Sequence, residues 1–315
     1  MTLDPGAQEV LELIQAMDRR PFHELTTEEA RNAYARSRQA LQPEPVPVAQ
    51  VHDLWCPGPG GRIRMRLYRS VTRQRDRTQP ALVYFHGGGW VLGDLDSHDG
   101  VCREIANRTA IAVVSVDYRL GPEHLFPAAV EDAIAATAWI EDHAPDLGID
   151  DQRIAVGGDS AGGNLAAVVA INARDSGRPA IKAQVLAYPV VDMSLSQASH
   201  ARLADVPPIP PATMRWFFDR YCRDENDKTD WRAAPLLAKS HANLPPALII
   251  VGGYDPLCDE GEAYAQKLRS QGSEAEVYRM PGQIHGFLTM SKIITEADQA
   301  HEAMTRTLQR YLQVE

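Results

Sequence analysis

Ile154-Ala155-Val156-Gly157-Gly158-Asp159-Ser160-Ala161-Gly162-Gly163-Asn164-Leu165 is a short apolar strand that runs through a tight turn into a helix. Gly158, Ala161, Gly162 and Gly163 are small enough for Ser160 to stand clear of a sheet on such a turn. The pattern is that of a nucleophile elbow, with Ser160 as candidate nucleophile. Leu165, Ala166, Val168, Val169 and Ile171 follow as a small-residue apolar run suited to a helix packed closely under the sheet. Such a helix aims its first N–H groups at Ser160, and that of Ala161 would meet negative charge developing on a substrate oxygen. Gly-x-Ser-x-Gly also recurs as a plain turn, so the flanking segments decide the reading.

Working outward, Ala81 to Phe85, Ile111 to Val116, Arg153 to Gly158, Ala183 to Tyr188, Ala247 to Val251 and Ala275 to Tyr278 read as strands. Helices are expected from Val101 to Ala106, Pro127 to His143, Glu260 to Gln271 and Glu296 to Leu312. This alternation points to an α/β fold with a mostly parallel sheet covered on both faces. Val48 to Leu54 and Ile63 to Tyr68, around Pro57 to Gly61, suggest an antiparallel hairpin at its start. Arg73, Arg75 and Arg77 read as a solvated loop. His86-Gly87-Gly88-Gly89-Trp90 directly follows a core strand. Three consecutive glycines there cost backbone entropy, and they allow the main chain to approach a substrate oxyanion. Asp117, Arg119 and Glu123 lie near another core strand and are expected to find ionic partners that shape their loop.

Two segments stand outside the alternation. Val10, Leu13, Ile14 and Met17 recur at helical spacing, and a second helix is expected from Thr27 to Leu41 with Thr26 or Thr27 as its cap. Their polar faces lack the Lys/Arg enrichment of a membrane anchor, which favours a lid over a pocket. The second segment, Asp192 to Tyr221, is polar, then proline-rich, then carries Met214, Trp216, Phe217, Phe218 and Tyr221. A connection this long reads as a lid or binding insertion, its aromatic residues either lining a pocket or gluing lid to body. The chain therefore divides into 1–47 (N-terminal part of a helical cap), 48–189 (body, first part), 190–235 (cap insertion) and 236–315 (body, second part). Asp224, Glu225, Asp227 and Asp230 lack calcium-loop spacing and read as a solvated turn.

With 315 residues the chain can bury a large core, and 32 basic against 42 acidic residues leave a net charge of −10. That balance argues against nucleic acid and against stable association with an anionic membrane. Cys56, Cys102, Cys222 and Cys258 show no paired spacing, so neither a zinc site nor a disulfide framework is expected. The first twenty residues carry acids where a signal peptide would be basic and then apolar, and no apolar run reaches the ~20 residues a membrane span needs. A soluble, cytoplasmic protein without metal or organic cofactor is expected.

Acyl transfer by serine needs a base for the Oγ proton, an acid to hold that base, and donors for the oxyanion. Ser160, Asp255 and His285 each follow a predicted strand, and groups at strand carboxyl ends converge in open α/β sheets. Their order along the chain is that of the α/β-hydrolase arrangement. Asp259 is the rival acid, though Asp255 lies closer to its strand.

On these motifs, together with Asp117-Tyr118-Arg119-Leu120, Pro122-Glu123-His124, Phe126-Pro127-Ala128, Asp255-Pro256-Leu257, Asp259-Glu260-Gly261 and His285-Gly286-Phe287, the chain resembles the bacterial hormone-sensitive-lipase-like (family IV) carboxylesterases. Gly121 stands where alanine is commoner in that family. The resemblance implies an α/β-hydrolase fold with an eight-stranded, mostly parallel sheet, a helical cap, and hydrolysis of carboxylic esters, with short acyl chains preferred. It makes Ser160 the nucleophile, His285 the general base and acid, Asp255 its orienting partner, and the N–H groups of Gly88, Gly89 and Ala161 the oxyanion hole. His86 would brace the oxyanion loop and Asp159 would tie the elbow to its neighbours. The partner is a small-molecule ester, with a homodimer suggested. Two alternatives remain: a non-catalytic small-molecule receptor on this fold, disfavoured by His285, and an amidase or deacylase using the same three residues.

Overall fold

A computed structural model describes residues 2–16, 20–71 and 78–314. Met17 and the loop arginines Arg73, Arg75 and Arg77 lie outside the described residues. The chain runs α1 (Pro5–Ala16), α2 (Thr27–Leu41), β1 (Gln50–Gly58), β2 (Gly61–Arg69), β3 (Gln79–Phe85), α3 (Asp99–Thr109) and β4 (Ala112–Asp117). It continues through α4 (Ala128–Asp142), α5 (Ala144–Leu147), β5 (Ile149–Asp159), α6 (Ala161–Ser176), β6 (Ile181–Ala187), α7 (Ala198–Arg202) and α8 (Pro211–Tyr221). β7 (Ala247–Tyr254), α9 (Cys258–Ser270), β8 (Ala275–Ile284) and α10 (Ala297–Leu312) complete it.

The strands form one eight-stranded sheet in the order β1-β2-β4-β3-β5-β6-β7-β8. β1 and β2 pair antiparallel, as do β2 and β4, and the pairings from β4 across to β8 are parallel. Every residue of β3 is buried, as a strand covered on both faces requires. Each face carries its own core. Val83, Val156, Leu165 and Val168 belong to one, and Leu82, Ala155, Ile105 and Leu308 to the other. No helix among the described residues is long and apolar enough to cross a membrane.

Two strand ends differ from the sequence expectation. β8 runs on to Ile284, so Gln283 and Ile284 are strand rather than loop. Pro281 is tolerated within it because β8 is an edge strand, where a missing N–H costs no ladder bond on the open side. The first hairpin is also longer, with Pro57 and Gly58 paired to Arg62 and Gly61, so the turn shrinks to Pro59 and Gly60.

The N-terminal helices and the segment after β6 pack on each other above the carboxyl ends of the strands. Of the two candidate caps, Thr26 is the one that caps α2, in a reciprocal capping box with Glu29. His23 Nδ1 lies 2.9 Å from Thr213 Oγ1, Trp216 Nε1 donates to Leu25 O at 3.3 Å, and the rings of Phe22 and Phe217 are 6.3 Å apart. α1 also reaches the body, since Asp4 N donates to Gly282 O at 3.0 Å and Val10 is fully buried. Asp227 departs from the solvated turn expected of it. It is buried and held by Arg223, which keeps its carboxyl below the usual range.

Candidate active site

β5 lies between β3 and β6 and delivers its chain end to the middle of the sheet's carboxyl edge. Ser160 follows at φ 55° and ψ −118°, a conformation costly for an L-residue and held by its surroundings. Ser160 N donates to Ala187 O at 2.9 Å, and its carbonyl accepts from Asn164 N at 3.0 Å. The glycines of the elbow are there because β3 passes directly beneath. A Cβ on Gly162 would sit 1.9 Å from Phe85 O, and one on Gly158 would sit 2.3 Å from the same atom. Asn164 Nδ2 donates to Val190 O and Ala233 O at 2.9 and 2.7 Å, which ties the start of α6 to the chain leaving β6 and to the end of the cap insertion.

Asp159 joins this turn to the glycine loop after β3. Its Oδ1 accepts from Tyr84 OH at 2.8 Å and Gly87 N at 2.9 Å, and His98 Nε2 lies 3.1 Å away. Burial works against the carboxylate, yet His98 and the Tyr84 hydroxyl together hold it below the usual range. His98 had no role in the sequence reading; its only signal was a histidine shortly before a helix. His86 braces the same loop from the other side. Its ring stacks on Tyr118 at 4.3 Å, Tyr118 OH donates to His86 O at 2.7 Å, and burial lowers its pKa to about 4. Between these supports Gly88 adopts φ 125° and Gly89 φ 60°. Side chains there would strike Leu92 O and the Phe217 ring, so only glycine lets this backbone pass between body and cap.

Asp255 and His285 arrive from β7 and β8. Asp255 is fully buried, and its Oδ1 accepts from Leu257 N at 2.9 Å. Its Oδ2 lies 2.8 Å from His285 Nδ1, and His285 Nε2 lies 3.0 Å from Ser160 Oγ. The Tyr188 ring meets the imidazole edge-on at 4.8 Å. Asp259, the rival acid, faces elsewhere: it accepts from Ser199 N at 2.8 Å and pairs with Arg202 at 3.1 Å, which ties α7 to α9. All three strand-end residues thus meet in one line, and Gly88 and Gly89 line the same cavity as Ser160 and His285. Ala161 opens α6, where the first N–H groups have no partner within the helix.

The cavity measures about 80 Å³. Leu92 and Met290 line it from the body, and Ile14, Phe22, Tyr34, Arg38, Leu41 and Phe217 from the cap side. Of the aromatic residues in the insertion, Phe217 lines the cavity. Tyr221 instead stacks face to face on Trp90 at 4.3 Å, so the segment both lines and glues. Arg38 was missed by the sequence reading. Its signal is a charged residue spaced with Ala30, Tyr34 and Leu41 on the buried face of α2.

Of the three charged loop residues, Arg119 and Glu123 have ionic partners, whereas Asp117 makes no ion pair among the described residues. Arg119 Nε and Nη2 engage Asp132 at 2.8 and 2.9 Å, and Arg31 forks onto both oxygens of Glu123 at 2.8 and 2.7 Å. Burial pushes the Asp117 carboxyl upward, with Arg64 and Arg66 opposing.

A sheet of this order, with a strained serine, a histidine and a buried aspartate in hydrogen-bonded line at its carboxyl edge, defines a serine hydrolase of the α/β class. Residues 82–289 match the model of the alpha/beta hydrolase fold family. The chain is 42% identical to esterase LipI of Mycobacterium tuberculosis, over 91% of this chain and 90% of that one. It is 36% identical to the ethyl acetate hydrolase of Pseudomonas putida, covering 99% of this chain and all of the relative. The hyperthermophilic esterase of the archaeon Pyrobaculum calidifontis superposes with a TM-score of 0.93 at 41% identity, with full coverage of both chains. The chain belongs to the alpha/beta hydrolase fold family and, within it, to the hormone-sensitive-lipase-like (family IV) carboxylesterases.

Proposed function

We propose that the protein hydrolyses carboxylic esters of short acyl chains through an acyl-enzyme on Ser160. The observation that carries this reading is the unbroken line from Asp255 Oδ2 to His285 at 2.8 Å and from His285 to Ser160 Oγ at 3.0 Å. His285 Nε2 takes the Ser160 proton as Oγ attacks the ester carbonyl. The N–H groups of Gly88, Gly89 and Ala161 receive the oxyanion, and the imidazolium then protonates the leaving alcohol. Water enters by the same route, His285 again acting as base, and the acid leaves. Asp255 holds Nδ1–H, so that Nε2 faces the serine as an acceptor.

The small cavity and its apolar walls favour a short acyl group. The similarity to an ethyl acetate hydrolase agrees with that size. By this reading 1–47 and 190–235 form the cap, and 48–189 with 236–315 the body. Four free, buried cysteines suit a reducing cytoplasm.

Hydrolysis of p-nitrophenyl esters from acetate to palmitate, with Ser160→Ala beside the wild type, tests the proposal. Turnover is expected to peak at acetate to butyrate and to fall by at least ~10³-fold in the variant. Inactivity of the folded wild type on the whole series would overturn it.

A further inference from the structure

Arg38 is a cation in the wall of the esterase cavity, among apolar residues and the hydroxyls of Ser37 and Thr289. It comes from α2, is only 8% exposed, and lines the same space as Ser160 and His285. Among the described residues no carboxylate lies within ion-pair distance of its guanidinium. Nη1 donates to Thr289 Oγ1, the Tyr34 ring sits 4.9 Å from the guanidinium carbon, and Nε is buried without a partner. The Asp159 carboxylate also borders the cavity, but its Oδ1 is engaged by Tyr84, Gly87 and His98.

A cation is costly to bury without its counter-charge, and an unsatisfied guanidinium N–H adds to that cost. Structural need does not explain it. Tyr34 and Leu41 show that α2 presents apolar side chains to this cavity, and a Leu or Met at 38 would cover the same stem volume without the charge. Thr289 is neutral and already donates to Gly286 O at 2.9 Å, so it supplies a hydrogen bond but no charge. Among the described residues, what the guanidinium lacks is an anion. With Nη1 occupied by Thr289 and Nε enclosed by protein, Nη2 is the donor left to an anion, through a charge-assisted hydrogen bond.

We propose that the ester substrate carries a second, ionised carboxylate on a short chain, and that Arg38 recognises it. The class comprises half-esters of short dicarboxylic acids and short acyl esters of hydroxy acids. This rests on the esterase reading of Ser160 and specifies its substrate. The reaction itself is unchanged: the ester bond breaks at Ser160, the alcohol leaves with the proton from His285, and the distal carboxylate stays ionised throughout. Arg38 is a specificity-determining residue that binds the substrate's remote end. Preference for one anionic position over another follows from which side of the ester faces α2.

The test compares kcat/KM by pH-stat at pH 7.5 for monoethyl succinate and O-butyryl glycolate, one anionic on the acyl side and one on the alcohol side. Their neutral counterparts are ethyl butyrate and ethyl pentanoate. Wild-type enzyme is expected to hydrolyse at least one anionic ester as efficiently as the neutral pair. In Arg38→Gln the ratio of anionic to neutral kcat/KM should fall about tenfold or more, the scale of one charge-assisted hydrogen-bonded contact, mainly through KM. Arg38→Lys should recover part of it. Thr289→Val keeps the cation while removing its brace. If Arg38 only holds α2 to the body, Thr289→Val and Arg38→Gln will slow both ester classes alike and leave the ratio unmoved, which overturns the proposal. Wild-type turnover of neutral esters with neither anionic ester accepted also overturns it and leaves the esterase reading intact. Failure on all four esters would instead strike the esterase reading itself.

Discussion

The elbow and the cap meet at one small cavity but are held in place by different means. Around Ser160 the contacts are largely backbone, carbonyls and N–H groups at 2.9–3.0 Å and glycines that leave no room for a Cβ beside Phe85 O, with Asn164 and Asp159 adding side-chain bonds. Across the cavity side chains predominate, with Phe22 against Phe217, Tyr221 on Trp90 and the Arg31–Glu123 fork, beside a few backbone bonds such as Phe126 N to Tyr221 O at 2.7 Å. Backbone contacts admit few substitutions and so keep the reacting atoms in register. Side-chain contacts can be repacked, which leaves the cap free to set what enters.

The largest test of this contrast uses two neighbouring aspartates. Asp255→Asn, in the body, should cut kcat by about 10³–10⁴ while the protein stays folded, because His285 loses the partner that sets its tautomer. Asp259→Asn, four residues on, frees Ser199 and Arg202 of α7, so it should change KM by a few fold and leave kcat near wild type. Equal losses of kcat in the two variants would erase the distinction. Tyr221→Ala probes the seam, since it removes the ring stacked on Trp90 beside the glycine loop. A fall in kcat of roughly tenfold is expected from a loosened glycine loop, below the 10²–10³ that a wholly lost oxyanion donor costs. An unchanged circular dichroism spectrum of the sheet would assign that loss to the seam.

The smallest effect concerns pH. Burial lowers His86 and His301 to about 4, and both belong to the body. Below the ordinary histidine pKa of about 6.5 the unfolded chain binds protons that the folded one refuses, so stability falls as pH drops from 6.5 toward 4. Each histidine should remove about 1 kcal/mol between pH 6.5 and 5.5. His301→Leu should make the stability–pH slope shallower by about 1 kcal/mol per pH unit in denaturant titrations, and an unaltered slope would mean that His301 takes up its proton while folded.

Much of the body was legible in the sequence because its chemistry demands particular residues at strand ends. Ser160, Asp255 and His285 each follow a strand, and the glycine runs mark where backbone must approach backbone. Less legible was whatever depends on distant segments. Nothing local to Asp117 to Glu123 pointed to Asp132 or Arg31 as the ionic partners there, whereas Asp227 looked solvated among its acidic neighbours although its partner Arg223 stands only four residues before it. The full length of β8 was hidden for a related reason, since the tolerance of Pro281 depends on the strand's edge position in the sheet rather than on its neighbours in sequence. Arg38 was overlooked because an arginine on a helix ordinarily faces water, and only the fold shows which face of α2 is covered.

The buried cysteines have a practical consequence. Burial raises the thiols of Cys56 to about 11 and of Cys222 and Cys258 to about 12, so at neutral pH a closed molecule offers an alkylating reagent almost no thiolate. Labelling must wait for local opening. Cys222 closes α8 of the cap, whereas Cys102 sits within α3 of the body, so the two thiols act as clocks on separate parts of one molecule. The interval between their labelling times measures how often the cavity is uncovered while the sheet beneath stays intact.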